Sequence, residues 1–213
     1  MDLYDRGCGK LVEFCVSLVF LKGKEKMNVF DFDNTIYDGE SSLDFFVFCV
    51  KRKPSLARHL PGVIAMAAKY KSGIVPEEEV MEFCAKMLLC LIPHKSELQK
   101  MTDMFWKKNR KKLKPEIMNI IHDGDVIISA SPSFMFDDIR GEMGNVRIIS
   151  TEIELESGKI KELCYGANKA EIFSRVYPEV SPDNFYTDNI NDMPMIRLSK
   201  RAWLVKGTRL TEI

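Results

Sequence analysis

The sequence predicts an α/β fold: a doubly wound parallel sheet with an all-helical insertion after its first strand. Three observations carry this. Short runs that are apolar on both faces, such as Asn28 to Phe32 and Val126 to Ser129, read as buried parallel strands. From Val126 onward such runs alternate with helical patterns, as βαβ units do. Between Ser41 and His122 the apolar residues recur at three- and four-residue spacing, which is helical throughout.

The elements follow in order. The first strand, Asn28 to Phe32, leads through a polar stretch to Ser41-Ser42-Leu43-Asp44, an S-x-x-D capping box that starts a helix ending near Lys53-Pro54. A second helix is expected from Ser55 to Tyr70, closed by Lys71-Ser72-Gly73. A third opens at Pro76 with Glu77, Glu78 and Glu79 in its first turn and ends at Pro93. A fourth runs from Ser96 to Lys112, and a short fifth follows Pro115. Val126 to Ser129 is the second strand, Pro132 to Arg140 starts a helix, and Val146 to Ser150 is the third strand. Ile153 to Leu163 reads as a hairpin turning at Ser157-Gly158. Then come a helix from Asn168 to Val176, a strand from Asn184 to Thr187, a short helix from Met193 to Ser199 and a last strand from Ala202 to Val205. The expected units are an N-terminal extension over 1–26, a core formed by 27–40 and 123–213, and a helical insertion over 41–122.

Composition narrows the function. The chain has 213 residues, 46% of them hydrophobic, enough for one cored domain with an insertion. Lys plus Arg equals Asp plus Glu at 31 each, so no generic polyanion or nucleic-acid binder is expected. The charge is uneven, however: residues 41–122 hold 15 basic against 8 acidic residues, a net of +7. A basic segment beside an acidic body suits an anionic substrate. The run Lys107-Lys108-Asn109-Arg110-Lys111-Lys112 reads as a solvated helix face, with attraction to an anionic membrane surface or to nucleic acid as the alternative. Cys8, Cys15, Cys49, Cys84, Cys90 and Cys164 form no C-x-x-C pair and read as reduced residues of a cytoplasmic protein. Met27 stands directly before the first strand, and it is the expected native start, with residues 1–26 an over-extension.

The chemistry concentrates at Asp31-Phe32-Asp33-Asn34-Thr35. Two carboxylates two residues apart at a strand's carboxyl end would share a side if the strand continued. Like charges that close need compensation, which a divalent cation supplies. Ser129 and Asp188 also end buried strands, where functional residues of such sheets gather. Lys169 opens a helix, and Asp188-Asn189-Ile190-Asn191-Asp192 places two acids four positions apart.

With these four elements in this order, residues 28–213 resemble the haloacid-dehalogenase-like hydrolase superfamily. The helical insertion looks like the small cap of its phosphoserine-phosphatase-like branch. The resemblance implies a Rossmann-like core and a magnesium-dependent phosphatase acting on a small phosphate monoester through an aspartyl-phosphate. On the family's pattern Asp31 is the nucleophile and Asp33 the general acid and base. Asp31, Asp33 (through its backbone carbonyl), Asp188 and Asp192 are the metal set. Lys169 neutralises phosphoryl charge, and Ser129 with the amide of Ala130 holds phosphate oxygens. Thr35 supports the loop through hydroxyl-to-backbone bonds beside the phosphate, and Glu40 is placed to read a substrate amino group or to favour a helix dipole. Asp33 argues against the dehalogenase branch, which does not need a second acid. The alternatives are a phosphoserine phosphatase proper and a non-catalytic phospho-ligand or membrane-surface binding protein on the same fold. Three positions depart from the usual pattern: Asn34 where Gly is frequent, Ser129-Ala130-Ser131 where Ser-Gly-Gly is usual, and Thr187 where Gly is common.

Overall fold

Parallel strands need long crossovers, and this chain places a helical segment or a hairpin with a helix in each one. The computed structural model describes residues 26–76, 79, 80, 82, 83, 86, 87 and 95–213. Strands β1 (Asn28–Asp31), β2 (Val126–Pro132), β3 (Arg147–Glu154), β5 (Asn184–Thr187) and β6 (Ala202–Lys206) are parallel. Strands β4 (Lys159–Glu162) and β7 (Arg209–Glu212) pair antiparallel at the two edges, giving the order β4-β3-β2-β1-β5-β6-β7.

Between β1 and β2 lie α1 (Ser41–Arg52), a 3-10 segment over Pro54–His59, α2 (Leu60–Lys71), α3 (Lys95–Asn109), a 3-10 turn over Arg110–Lys112 and α4 (Pro115–Met118). Between β4 and β5 lies α5 (Ala167–Val176), and between β5 and β6 lies α6 (Met193–Leu198). The third expected helix falls mostly outside the described residues, but Glu79, Val80, Glu82, Phe83, Lys86 and Met87 are helical. The expectation about residues 1–26 lies outside them too, except for Lys26.

Alternation along the strands feeds two cores. Val29, Val126, Ile128 and Phe185 pack with Ile172 and Phe173 of α5 and Met195 of α6. Phe30 and Ile127 face the other way, toward Phe105 and Trp106 of α3 and Ile117 of α4. Trp106 anchors that side: it is fully buried, stands edge-on to Phe32, and its indole N–H donates to the Met135 carbonyl at 2.6 Å. The return from α3 is therefore pinned beside β1. Tyr37 bridges Leu113, and Lys114 N donates to the Ile36 carbonyl at 2.8 Å.

Several expectations need correction. No capping box forms at Ser41. It is the first residue of α1, Glu40 precedes it without a side-chain cap, and the Asp44 carboxylate accepts from the Tyr37 hydroxyl and Lys112 instead. The stretch after Pro132 makes only 3-10 turns, at Ser133–Met135 and Arg140–Glu142. Strand β3 runs unbroken into the hairpin, and β7 extends the sheet where the sequence pattern showed no strand. Within the basic stretch Lys107 pairs with Asp103, Arg110 with Glu142 and Lys112 with Asp44. Among the described residues no helix is long and apolar enough to cross a membrane.

Candidate active site

Strand order creates the site. From β1 the chain steps to β2 and β3 on one side, then crosses to β5 and β6 on the other, so β1 and β5 flank the point where winding reverses. Asp31 pairs in register with Ile128, and Phe30 with Tyr186. Asp31, Ser129 and Asp188 therefore emerge at one sheet edge from three neighbouring strands.

Lys169, in the first turn of α5, reaches into this edge. Its ammonium donates to Asp31 Oδ1 at 2.7 Å and to Asp192 Oδ2 at 3.1 Å. All three side chains are buried. Burial opposes the charge on Lys169, but Asp31 and Asp192 outweigh it and hold its pKa above the usual lysine value. Burial pushes Asp31 up to about 6 against the pull of Lys169, with Asp192 adding to the rise. Asp188 is also pushed up to about 6, by burial and then by Asp31 and Asp192. One ammonium does not balance three converging carboxylates.

Asp33 takes no part in this cluster, because β1 stops at Asp31. Ile36 N and Tyr37 N both return to the Phe32 carbonyl, and Asn34 sits in the left-handed region at φ +57°, which Asn tolerates better than most residues. The turn swings Asp33 toward the first turn of α1. Its Oδ1 accepts the Ser41 N–H at 2.7 Å and its Oδ2 accepts the Ser131 hydroxyl at 2.7 Å. Burial raises its pKa, while those hydrogen bonds work the other way.

The remaining predicted residues divide. Ser129 is buried beside Asp31, its hydroxyl accepts the Ser131 N–H at 3.0 Å, and Ala130 is half-buried next to it. Asp192 is braced by the Thr187 hydroxyl at 2.9 Å. Glu40 is exposed and accepts from Asn34 Nδ2 at 2.6 Å. The backbone support expected of Thr35 is absent: its hydroxyl is fully buried with no hydrogen-bond partner. The turn is held by backbone bonds instead, leaving that hydroxyl unsatisfied.

Sequence reasoning missed Ser41, Ser42, Ser131 and Lys114. Lys114 is 7% exposed and its ammonium donates to the Asn34 carbonyl, beside the site. Burial lowers its pKa, with Asp38 and Asp188 pulling the other way. A lysine just before Pro115 carries no motif, so only its return beside β1 shows it. Thr187 and Ser131 did carry a signal, since each replaces a residue usual in the pattern with one that bears a hydroxyl.

The donor set is all oxygen and short of positive charge, which fits a hard dication. Among the described residues no three acidic, His or Cys side chains stand close enough to enclose an ion by themselves. Magnesium takes one or two carboxylates and keeps several waters. Linkage gives a test. Asp31 and Asp188 bind protons more tightly in the folded chain than at their ordinary value of 3.8. The metal-free protein therefore loses stability from these two groups as pH rises from about 4 to about 6. A magnesium ion held by these oxygens would relieve that penalty only where they are ionised. Added magnesium chloride should raise the melting temperature clearly at pH 7.5 and little at pH 5; equal shifts at both would exclude these carboxylates as the binding groups.

Comparison with known proteins agrees with this architecture. Residues 29–197 match the family model of haloacid dehalogenase-like hydrolases. A protein of unknown function from Bordetella pertussis Tohama I is similar at 20% identity and a TM-score of 0.71, over 84% of this chain and 88% of that one. A phosphoserine phosphohydrolase-like protein from Francisella tularensis subsp. tularensis SCHU S4 is similar at 16% identity and a TM-score of 0.53, over 84% and 86%. A phosphoserine phosphatase in the form of a phospho-aspartyl intermediate analogue is similar at 15% identity and a TM-score of 0.51, over 84% and 85%. At these identities the likeness is one of fold. No curated protein gives a significant match.

Proposed function

This chain belongs to the haloacid dehalogenase-like hydrolase family, and from that premise we propose that it is a magnesium-dependent phosphatase of small organic phosphate monoesters. The observation that carries the reading is the division of labour between the two carboxylates. Asp31 is bound to a buried ammonium at the sheet edge, while Asp33 is held apart by hydrogen bonds to Ser41 and Ser131.

The chemistry follows from that division. A phosphate monoester dianion resists water, and an Asp nucleophile splits its hydrolysis into two easier steps. An Asp31 oxygen attacks phosphorus, the bond to the leaving oxygen breaks, and that oxygen takes its electron pair and the proton from Asp33. The alcohol departs and an aspartyl-phosphate remains. Asp33, now ionised, takes a proton from water as the water oxygen attacks phosphorus, and the Asp31–phosphorus bond breaks to release inorganic phosphate. Asp33 ends protonated, as it began, and its burial favours that state. Lys169 compensates phosphoryl charge and fixes Asp31, while Asp192, braced by Thr187, fixes Lys169. Ser129 and the Ala130 amide hold phosphate oxygens, and the unsatisfied Thr35 hydroxyl lies in the turn that carries Asp33. Asp31, Asp188 and the Asp33 carbonyl would hold magnesium, with Asp192 beside them. Bound there, the ion would offset the repulsion between Asp31 and the dianion. The helices between β1 and β2 serve as the cap over the leaving group.

The test is turnover of p-nitrophenyl phosphate and a panel of metabolite phosphates with magnesium and with excess chelator. Release of phosphate that magnesium restores is expected. No release from any ester would instead favour a binding protein on this fold.

A further inference from the structure

We infer that Ser131, oriented by Ser41 and Ser42, is a positioning residue that aims the proton of Asp33 at the leaving oxygen. The inference rests on the phosphatase reading and deepens it. Ser131 is 2% exposed and lies two residues beyond Ser129. Its oxygen has three neighbours: Asp33 Oδ2 at 2.7 Å, Ser41 Oγ at 2.9 Å and Ser42 Oγ at 2.8 Å. A serine hydroxyl has one hydrogen and two lone pairs. An ionised Asp33 only accepts, so in that state Ser131 donates its hydrogen to Asp33 and keeps two lone pairs toward Ser41 and Ser42. The Ser41 side chain also faces Asp33, and its hydrogen bond favours the ionised carboxylate. The three hydroxyls form one cluster that joins the start of α1 to the Asp33 carboxyl.

That cluster fixes the carboxyl that carries the proton. One carboxyl oxygen faces the Ser131 hydroxyl and the other faces the Ser41 N–H. Held at both oxygens, the carboxyl keeps one orientation, and the proton it gives to the leaving oxygen departs from a fixed place. The same contacts tie Asp33 to the amino end of α1, so the proton donor is placed only while that helix is seated. Ser131 N, through its bond to Ser129 Oγ at 3.0 Å, ties the arrangement to the phosphate-holding loop.

Leaving-group dependence separates this role from a structural one. An alkoxide needs protonation to depart, whereas p-nitrophenolate does not. The quantity to read is kcat/KM, which covers only the steps through leaving-group departure. Ser131→Ala should lower kcat/KM for an alkyl phosphate such as glycerol phosphate by about 10- to 100-fold, with kcat falling more than KM rises. For p-nitrophenyl phosphate the loss should stay within about 3-fold. Ser131→Thr, which keeps the hydroxyl, should restore most of the alkyl activity. Should Ser131→Ala fail to fold, Ser42→Ala removes one hydroxyl bonded to Ser131 without touching Asp33 and should show a smaller loss of the same selectivity. Equal losses on both esters, or none on either, would overturn the inference while leaving the phosphatase reading intact. A wild-type protein that hydrolyses neither ester with magnesium would overturn both.

Discussion

Asp31→Asn should lower phosphatase turnover by at least about 10⁴-fold while the protein stays folded. The amide matches the carboxylate in volume, so the cavity around it does not change. Its oxygen still accepts from Lys169, and Lys169 keeps Asp192. What disappears is the charged nucleophile. Because burial already pushes the Asp31 carboxyl up to about 6, a neutral side chain is tolerated well there. Stability should change by no more than about 1 kcal/mol. The variant should also show a smaller magnesium-induced rise in melting temperature, since one carboxylate of the donor set is gone. Residual turnover within about 100-fold of wild type, in protein free of contaminating phosphatase, would remove Asp31 from the nucleophile role.

Lys169→Met should damage activity and stability together. The methionine fills most of the lysine's volume but leaves Asp31 and Asp192 buried without their cation. Removing one partner of a buried ion pair costs about 3 to 5 kcal/mol, because the remaining charge is uncompensated. Turnover should fall by about 10³-fold or more, through loss of charge stabilisation at the phosphoryl oxygens. The pH dependence has a definite sign. Without the ammonium the Asp31 carboxyl binds protons more tightly, so the deficit relative to wild type is largest at neutral pH and shrinks on acidification toward pH 5. Magnesium should recover part of the lost stability at neutral pH. Denaturant melts at pH 5 and pH 7.5 check this; a deficit independent of pH would mean that Lys169 matters through packing rather than charge.

The sheet was legible because its signals are local. Val126-Ile127-Ile128 is short and apolar on both faces, Asn184 to Thr187 is a short run centred on Phe185 and Tyr186, and helical periodicities sit between them. Strand β7 was not legible, since Arg209–Glu212 is exposed throughout and is held by its ladder to β6 rather than by an apolar pattern. The helix expected after Pro132 fails for a related reason. Met135, Phe136 and Ile139 have helical spacing, yet the Met135 carbonyl is taken by Trp106 and the chain makes only a 3-10 turn.

At the site, residue types were readable and partners were not. Asp31, Ser129, Lys169 and Asp188 stood out because strand ends and motif spacing mark them. Ser41 suggested a helix cap from its own neighbours, but its N–H and hydroxyl are spent on Asp33 and on Ser131, ninety residues away. Thr35 suggested a hydroxyl-to-backbone bond that the turn does not make.

By itself, then, the sequence determined the parallel sheet, the helical insertion and the residues that could carry phosphate chemistry, since hydrophobic period and side-chain type are local properties. Only the tertiary structure decided that the two acids of Asp31-Phe32-Asp33 have different partners. A turn of four residues, with Asn34 in the left-handed region, breaks the alternation that would have kept them together. The hydroxyl and ammonium groups that then meet each carboxylate come from distant segments of the chain, brought together by packing of α1 and α5 against the sheet edge.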